Sequence, residues 1–145
     1  MRTVNDILKG GKTEIWSISP TATVFEALKI MGEKEIGALI VIEKGEMVGI
    51  ISERDYARKI ILKDKTSKNT TVQEIMTSKM FSVKPGNTLE ECMVLMTANH
   101  IRHLPVLANN KLVGLISIGD VIKAIISEKD IAIQQLSNYI EGKFI

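Results

Sequence analysis

Residues 15–61, IWSISPTATVFEALKIMGEKEIGALIVIEKGEMVGIISERDYARKII, lie without a gap over residues 80–126, MFSVKPGNTLEECMVLMTANHIRHLPVLANNKLVGLISIGDVIKAII. Every pair is 65 positions apart, as in Pro20/Pro85, Thr23/Thr88, Glu26/Glu91, Met31/Met96, Val41/Val106, Gly49/Gly114, Ser52/Ser117 and Asp55/Asp120. A register of this kind marks a repeated folding unit. Two copies that each leave an apolar face uncovered are expected to close on one another about a pseudo-twofold axis. Any site at their seam would then come as a related pair, so function is sought among the repeated polar residues.

Within each copy the patterns define elements. Thr23 with Glu26, and Thr88 with Glu91, have the spacing of a capping box, which satisfies orphan backbone donors at a helix start. Val24, Ala27, Leu28 and Met31 then fall at i, i+3, i+4 and i+7, and Leu89, Cys92, Met93 and Met96 repeat that spacing. Two Val/Ile-rich runs follow around a turn: Ala38 to Ile42, Lys44-Gly45, Met47 to Ile51, and Leu104 to Leu107, Asn109-Asn110, Leu112 to Ile116. These predict hairpin strands. A second helix is expected through Tyr56 to Leu62 and Val121 to Ser127, and short extended stretches ending at Pro20 and Pro85 open the copies. Each copy is βαββα, an α+β fold. TVNDILKG at 3–10 resembles TVQEIMTS at 71–78, so a short helix precedes each copy, and the halves read as 1–68 and 69–145. Past the second copy, Ile133, Leu136, Tyr139 and Ile140 form an apolar stripe that either packs back on the domain or meets another subunit. A subunit contact is preferred, giving a homodimer.

Composition narrows the function classes. At 145 residues the chain can bury roughly two thirds of its unfolded surface, enough for a core without staples. The single cysteine excludes an intramolecular disulfide or a CxxC metal knuckle. No apolar run nears the ~18 residues that span a bilayer, and MRTVNDILKGGK lacks a signal core. A soluble cytoplasmic protein without membrane partners is expected. A formal charge of +2 is too mild to imply nucleic acid, and Lys63, Lys65 and Lys68, interrupted by Asp64, read as a solvated run. There is no GxxxxGK[ST], GxGxxG or HExxH. His100, His103 and Cys92 make no metal or nucleophile set, because Cys92 belongs to a core stripe and no third ligand has suitable spacing. No catalytic residue and no metal ligand are assigned.

Chemistry concentrates in Gly49-Ile-Ile-Ser52-Glu-Arg-Asp55 and Gly114-Leu-Ile-Ser117-Ile-Gly-Asp120, each ending a strand and opening a helix. Ser52 or Ser117 can cap the helix, whose free N–H groups welcome an anion. Asp55 or Asp120, one turn in, can accept hydrogen bonds from a vicinal diol such as a ribose. The bland reading is a structural cap and nothing more.

At these residues the chain resembles a tandem pair of cystathionine-beta-synthase (CBS) domains, a Bateman module, with HLPVL at 103–107, GLISIGD at 114–120 and GIISERD at 49–55. It is similar to small stand-alone prokaryotic members bearing an ERDYARK-type stretch, here Glu53 to Lys59. The resemblance implies two repeats packed as a pseudo-twofold pair. It further implies clefts between them for AMP, ADP, ATP or NAD, with S-adenosylmethionine ranked lower. The ribose role falls on Asp55 and Asp120, with Ser52 and Ser117 as hydroxyl partners. In nucleotide-binding relatives a basic pair before the strand contacts phosphates. The second copy has Arg102-His103 there and the first Gly37-Ala38, which offer space without charge. Arg54 is a further phosphate candidate, so a nucleotide with its ribose on Asp55 and its phosphates on Arg102 and His103 of the opposite copy is the favoured arrangement. The expected function is an adenine-nucleotide sensor acting on an unidentified regulated protein. The alternative is a structural dimerisation or adaptor module with vestigial clefts.

Overall fold

The computed structural model describes residues 2–11 and 14–142, and of 127–131 the backbone only. Two compact units emerge, Glu14–Ser82 and residues 1–13 together with 83–145. The halves read from the repeat, 1–68 and 69–145, therefore differ from the units in space by an exchange of short segments. Residues 1–13 join the second copy and residues 69–82 join the first.

In the unit 14–82, helix α2 (Val24–Lys34) starts where the Thr23 hydroxyl accepts from the Glu26 N–H at 3.1 Å. It buries Val24, Ala27 and Met31, one face at helical spacing, and ends at Glu35 in the left-handed region. Strands β2 (Ala38–Glu43) and β3 (Glu46–Ser52) pair antiparallel. Lys44 and Gly45 join them at φ 51 and 79°, the paired positive angles of a type I′ turn, whose twist matches that of the strands. Strand β1 (Ser17–Ile18) adds in parallel to β2. Helix α3 (Glu53–Lys59) follows β3 directly, and a short 3₁₀ turn over Ile61–Lys63 ends the element expected to reach Leu62 as one helix.

A four-residue helix after the linker, α4 (Val72–Ile75), completes this unit. Its Val72 N–H donates to Ala22 O at 2.8 Å and its Gln73 N–H to Pro20 O at 2.9 Å. Val72 and Ile75 join Ile18, Val24, Leu39, Val41, Ile51 and Ile60 in the core. Each such fully buried aliphatic side chain contributes about 1.5–3 kcal/mol of transfer free energy.

The second unit repeats this construction with the chain's first helix, α1 (Val4–Lys9). The Val4 N–H donates to Asn87 O and the Asn5 N–H to Pro85 O, both at 2.9 Å, the positions equivalent to Ala22 and Pro20. Helix α5 (Leu89–Asn99) buries Leu89, Cys92 and Met96, and its Thr88–Glu91 capping box is complete, whereas α2 forms only the hydroxyl half. Strands β4 (His103–Ala108) and β5 (Lys111–Ser117) turn through Asn109 and Asn110 at φ 53 and 63°. The β1 counterpart shrinks to one parallel bridge, Val83 to Val106. Both ladders slip by one residue at the same place, Val41/Ile42 and Val106/Leu107.

The last element departs from expectation in length. The helix expected near Val121 to Ser127 and the apolar tail beyond it are one 24-residue helix, α6 (Ile118–Glu141). Ile133, Leu136, Tyr139 and Ile140 are 64, 61, 75 and 74% exposed, so the stripe does not pack back on the fold.

Candidate functional site

Both Ser-x-x-Asp turns are complete capping boxes. The Ser52 N–H donates to Asp55 Oδ2 at 2.9 Å while the Asp55 N–H donates to Ser52 Oγ at 3.2 Å. In the second copy Ser117 N–H reaches Asp120 Oδ2 at 2.7 Å, and Asp120 N–H reaches Ser117 Oγ at 3.1 Å. The serine holds the helix start and the aspartate returns the bond, as in the boxes of α1, α4 and α5. One carboxylate oxygen of each aspartate is thus committed to backbone. Ligand chemistry at Asp55 falls to its other oxygen.

That oxygen has partners already. Asp55 Oδ1 lies 3.1 Å from Lys59 Nζ, one turn along α3, and 3.4 Å from the Thr77 hydroxyl, which donates to it. Lys59 Nζ also donates to the Ile75 carbonyl at 2.8 Å, tying α3 to the end of α4. Acid before base at i, i+4 is the favourable order on a helix. The Asp55 side chain is 12% exposed and the Lys59 side chain 42%, so only the carboxylate end of the pair is shielded from water.

Around Asp120 the surroundings are different. Asp120 and Lys123 of α6, together with Arg2, Asp6, Gly10 and Gly11 of the N-terminal segment, line an open groove of about 410 Å³. Asp6 is bound by the Thr3 N–H at 2.9 Å, which holds its carboxyl below the usual carboxylate range. Ala124, the counterpart of Lys59, forms part of the wall.

The remaining expected residues sort by unit. The Arg102 carbonyl accepts from the Ile118 N–H at 2.8 Å and His103 pairs with Ser117 across the β4–β5 ladder, so these two are joined to Ser117 and Asp120. Equivalently, the Gly37 carbonyl accepts from the Glu53 N–H at 3.0 Å and Ala38 pairs with Ser52, which brings Gly37 and Ala38 together with Ser52, Arg54 and Asp55. Gly37 borders a groove of about 330 Å³ that Glu53 also lines. Ala38 offers no space there; it is 2% exposed and belongs to the core.

His100 caps α5 at φ 54°, in the place Glu35 takes in α2. Cys92 is buried, and burial, with the Glu91 charge behind it, pushes its thiol up to about 11, far from a nucleophile's range. Among the described residues no group of three or more His, Cys, Asp or Glu is placed to hold a metal. Among them, too, no helix is long and apolar enough to cross a membrane.

Sequence reading missed Lys59, Thr77, Arg2 and Lys123. The Asp55-to-Lys59 spacing is a visible i, i+4 pair and could have flagged the first. Thr77 lies 22 positions from Asp55, and nothing local links them. Arg2 reaches the groove only because α1 joins the second copy.

The CBS domain family profile matches residues 4–62 and 72–131. The mitochondrial CBS-domain-containing protein CBSX3 of Arabidopsis thaliana is 40% identical over 152 residues, spanning 98% of this chain and 73% of that protein. A solved protein with CBS domains from Burkholderia ambifaria is 48% identical, with a TM-score of 0.84 over 86% of this chain and 94% of that one. A CBS domain pair solved in complex with 5′-methylthioadenosine and S-adenosyl-L-methionine is 26% identical, with a TM-score of 0.73 over 85% and 98% of the two chains. The repeat, the capped Ser-x-x-Asp turns and these matches agree: the chain belongs to the CBS-domain family and carries a tandem pair of the domains.

Proposed function

We propose that this chain is a non-catalytic regulatory module that binds an adenine nucleotide, with the ribose on Asp120 and the phosphate toward Arg2 and Lys123. The groove of about 410 Å³ that joins these three residues carries the reading, being within the size range of small-molecule sites. The solved relative binds two ligands that share adenosine, the part a carboxylate can recognise through its diol. The groove sets the two cations Arg2 and Lys123 against the two carboxylates Asp6 and Asp120, so AMP, ADP, ATP or NAD are the ligands placed first, with S-adenosylmethionine after them, and the choice is left to measurement. Arg102 and His103, beside Ser117, are further phosphate partners for the same turn. The ligand shifts the module between states by its differential affinity for them, and a protein partner reads that shift.

The test is a thermal-shift and calorimetry panel of AMP, ADP, ATP, NAD, S-adenosylmethionine and 2′-deoxy-AMP. A ligand at 100 times its Kd adds roughly 2.7 kcal/mol, which is about 5 to 10 °C in Tm. Asp120→Ala is expected to weaken AMP by roughly 10- to 100-fold, as loss of a bond to a charged acceptor does, and 2′-deoxy-AMP to bind worse than AMP. Silence from every adenosine compound, with protein freed of carried-over ligand, would overturn the proposal in favour of an adaptor role.

A further inference from the structure

Where the repeat runs out, it keeps an apolar residue and reverses its charges. Ile61 lies over Ile126, and the same 65-position offset then sets Lys63, Asp64 and Lys65 against Glu128, Lys129 and Asp130. Each sign is inverted. On the first-repeat side α3 ends, Ile60 is buried in the core, and the 3₁₀ turn leaves Ile61 and Leu62 59 and 74% exposed. Arg58, Lys63, Lys65 and Lys68, all exposed, flank them in the chain, with Asp64 the one acid among residues 58–68. Half-exposed Phe25 adjoins this segment, its N–H donating to Ser67 O at 2.9 Å and its ring centroid 5.1 Å from Lys68 Nζ. On the second-repeat side the chain continues as α6, whose apolar stripe from Ile126 to Ile140 is exposed. Over residues 126–141 the acids Glu128, Asp130 and Glu141 outnumber Lys129. We infer that these are the two halves of one contact between copies of this chain: α6 of one copy, from Ile126 outward, lies on the basic Ile61–Leu62 patch of another.

Both surfaces stay open within the single chain, so the folding of one chain does not use them. Joining them takes apolar area of each out of water, and it sets a basic surface against an acidic one. Opposite signs across an interface favour encounter and fix its register, whereas like signs penalise the wrong pairing. A contact between two first-repeat patches would bring Lys63 and Lys65 against their own kind. An anionic membrane would match the basic patch but leave the acidic, apolar α6 uncovered; a second copy covers both. Each copy offers both surfaces, so a two-chain particle makes the contact twice, which is how unlike surfaces close without growing into a filament.

Sedimentation equilibrium on the full chain at moderate ionic strength tests the pairing. Wild type is expected to form a two-chain particle. Lys63→Glu with Lys65→Glu is expected to weaken dimerisation about tenfold or more, and Glu128→Lys with Asp130→Lys likewise, because each sets like charges together. All four changes combined restore the signs, and the affinity is expected to return to within about threefold of wild type. Ile61→Ser with Leu62→Ser, at positions too exposed to hold the fold, is expected to leave a monomer. Circular-dichroism melting of each variant separates a lost contact from a lost fold, and the recovery in the fourfold variant cannot come from misfolding. A monomeric wild type overturns the inference. So does a dimer that ignores the charge reversals, or a fourfold variant no tighter than either pair of reversals. A dimer lost when α6 is cut but indifferent to Ile61, Leu62, Lys63 and Lys65 seats α6 on another surface and overturns it as well.

Discussion

At the residue scale, identical side chains acquire different chemistry from their neighbours. Asp55 and Asp120 hold the same capping bonds, but Lys59 closes on one and an open groove adjoins the other. Their capping role was legible in the sequence, because Ser-x-x-Asp is local and needs only a helix start. What surrounds each aspartate was not, because Thr77 and Arg2 arrive from distant segments. Cys92 shows the opposite case: its place in the helical stripe predicted burial, and it is fully buried. Its thiol, pushed up to about 11, stays protonated near pH 8, where an ordinary free cysteine is partly thiolate. Iodoacetamide labelling of native protein at pH 8 is therefore expected to be at least tenfold slower than in urea, and to follow the unfolding transition. Equal rates would contradict the burial.

At the element scale, glycines record how closely the exchanged helices approach the strands. A Cβ on Gly114 would meet Leu8 Cδ2 at 2.7 Å, the far end of a flexible side chain. One on Gly49 would meet Met76 Sδ at 2.7 Å and also the Thr77 backbone carbonyl at 3.0 Å. That carbonyl is pinned, since Thr77 and Ile50 exchange backbone bonds at 2.8 and 2.9 Å. Gly49→Ala is expected to destabilise by about 1–3 kcal/mol, the usual range for overpacking, and Gly114→Ala by less. Urea unfolding of the two variants checks the order, and a larger loss in Gly114→Ala would show that Leu8 is the less yielding neighbour. The same pairs explain a limit of sequence reading. A Gly before the Ser-x-x-Asp turn was visible as room for close approach, but what approaches it is a helix from elsewhere in the chain.

At the scale of the whole molecule, α6 is the element with most left to explain. Its outer half leaves Ile133, Leu136, Tyr139 and Ile140 exposed, and Ile126, Ile133 and Ile140 recur every seven residues with Leu136 three beyond the second. That spacing suits a seam with another helix, and a second copy of this chain is expected to supply it. Light scattering is expected to give a two-chain mass for the full chain and one chain for a variant ending near residue 127; a dimer surviving truncation would place the contact elsewhere. The repeat, the βαββα order of each copy, the hairpin turns and the capped aspartates were all legible in sequence, because each arises from neighbours within a few residues. Tertiary structure alone decided that α1 completes the second unit and α4 the first, and with it which residues surround each aspartate. The reason is degeneracy: TVNDIL and TVQEIM carry the same pattern of backbone donors and apolar side chains, so local chemistry suits either copy equally and only the packed chain chooses.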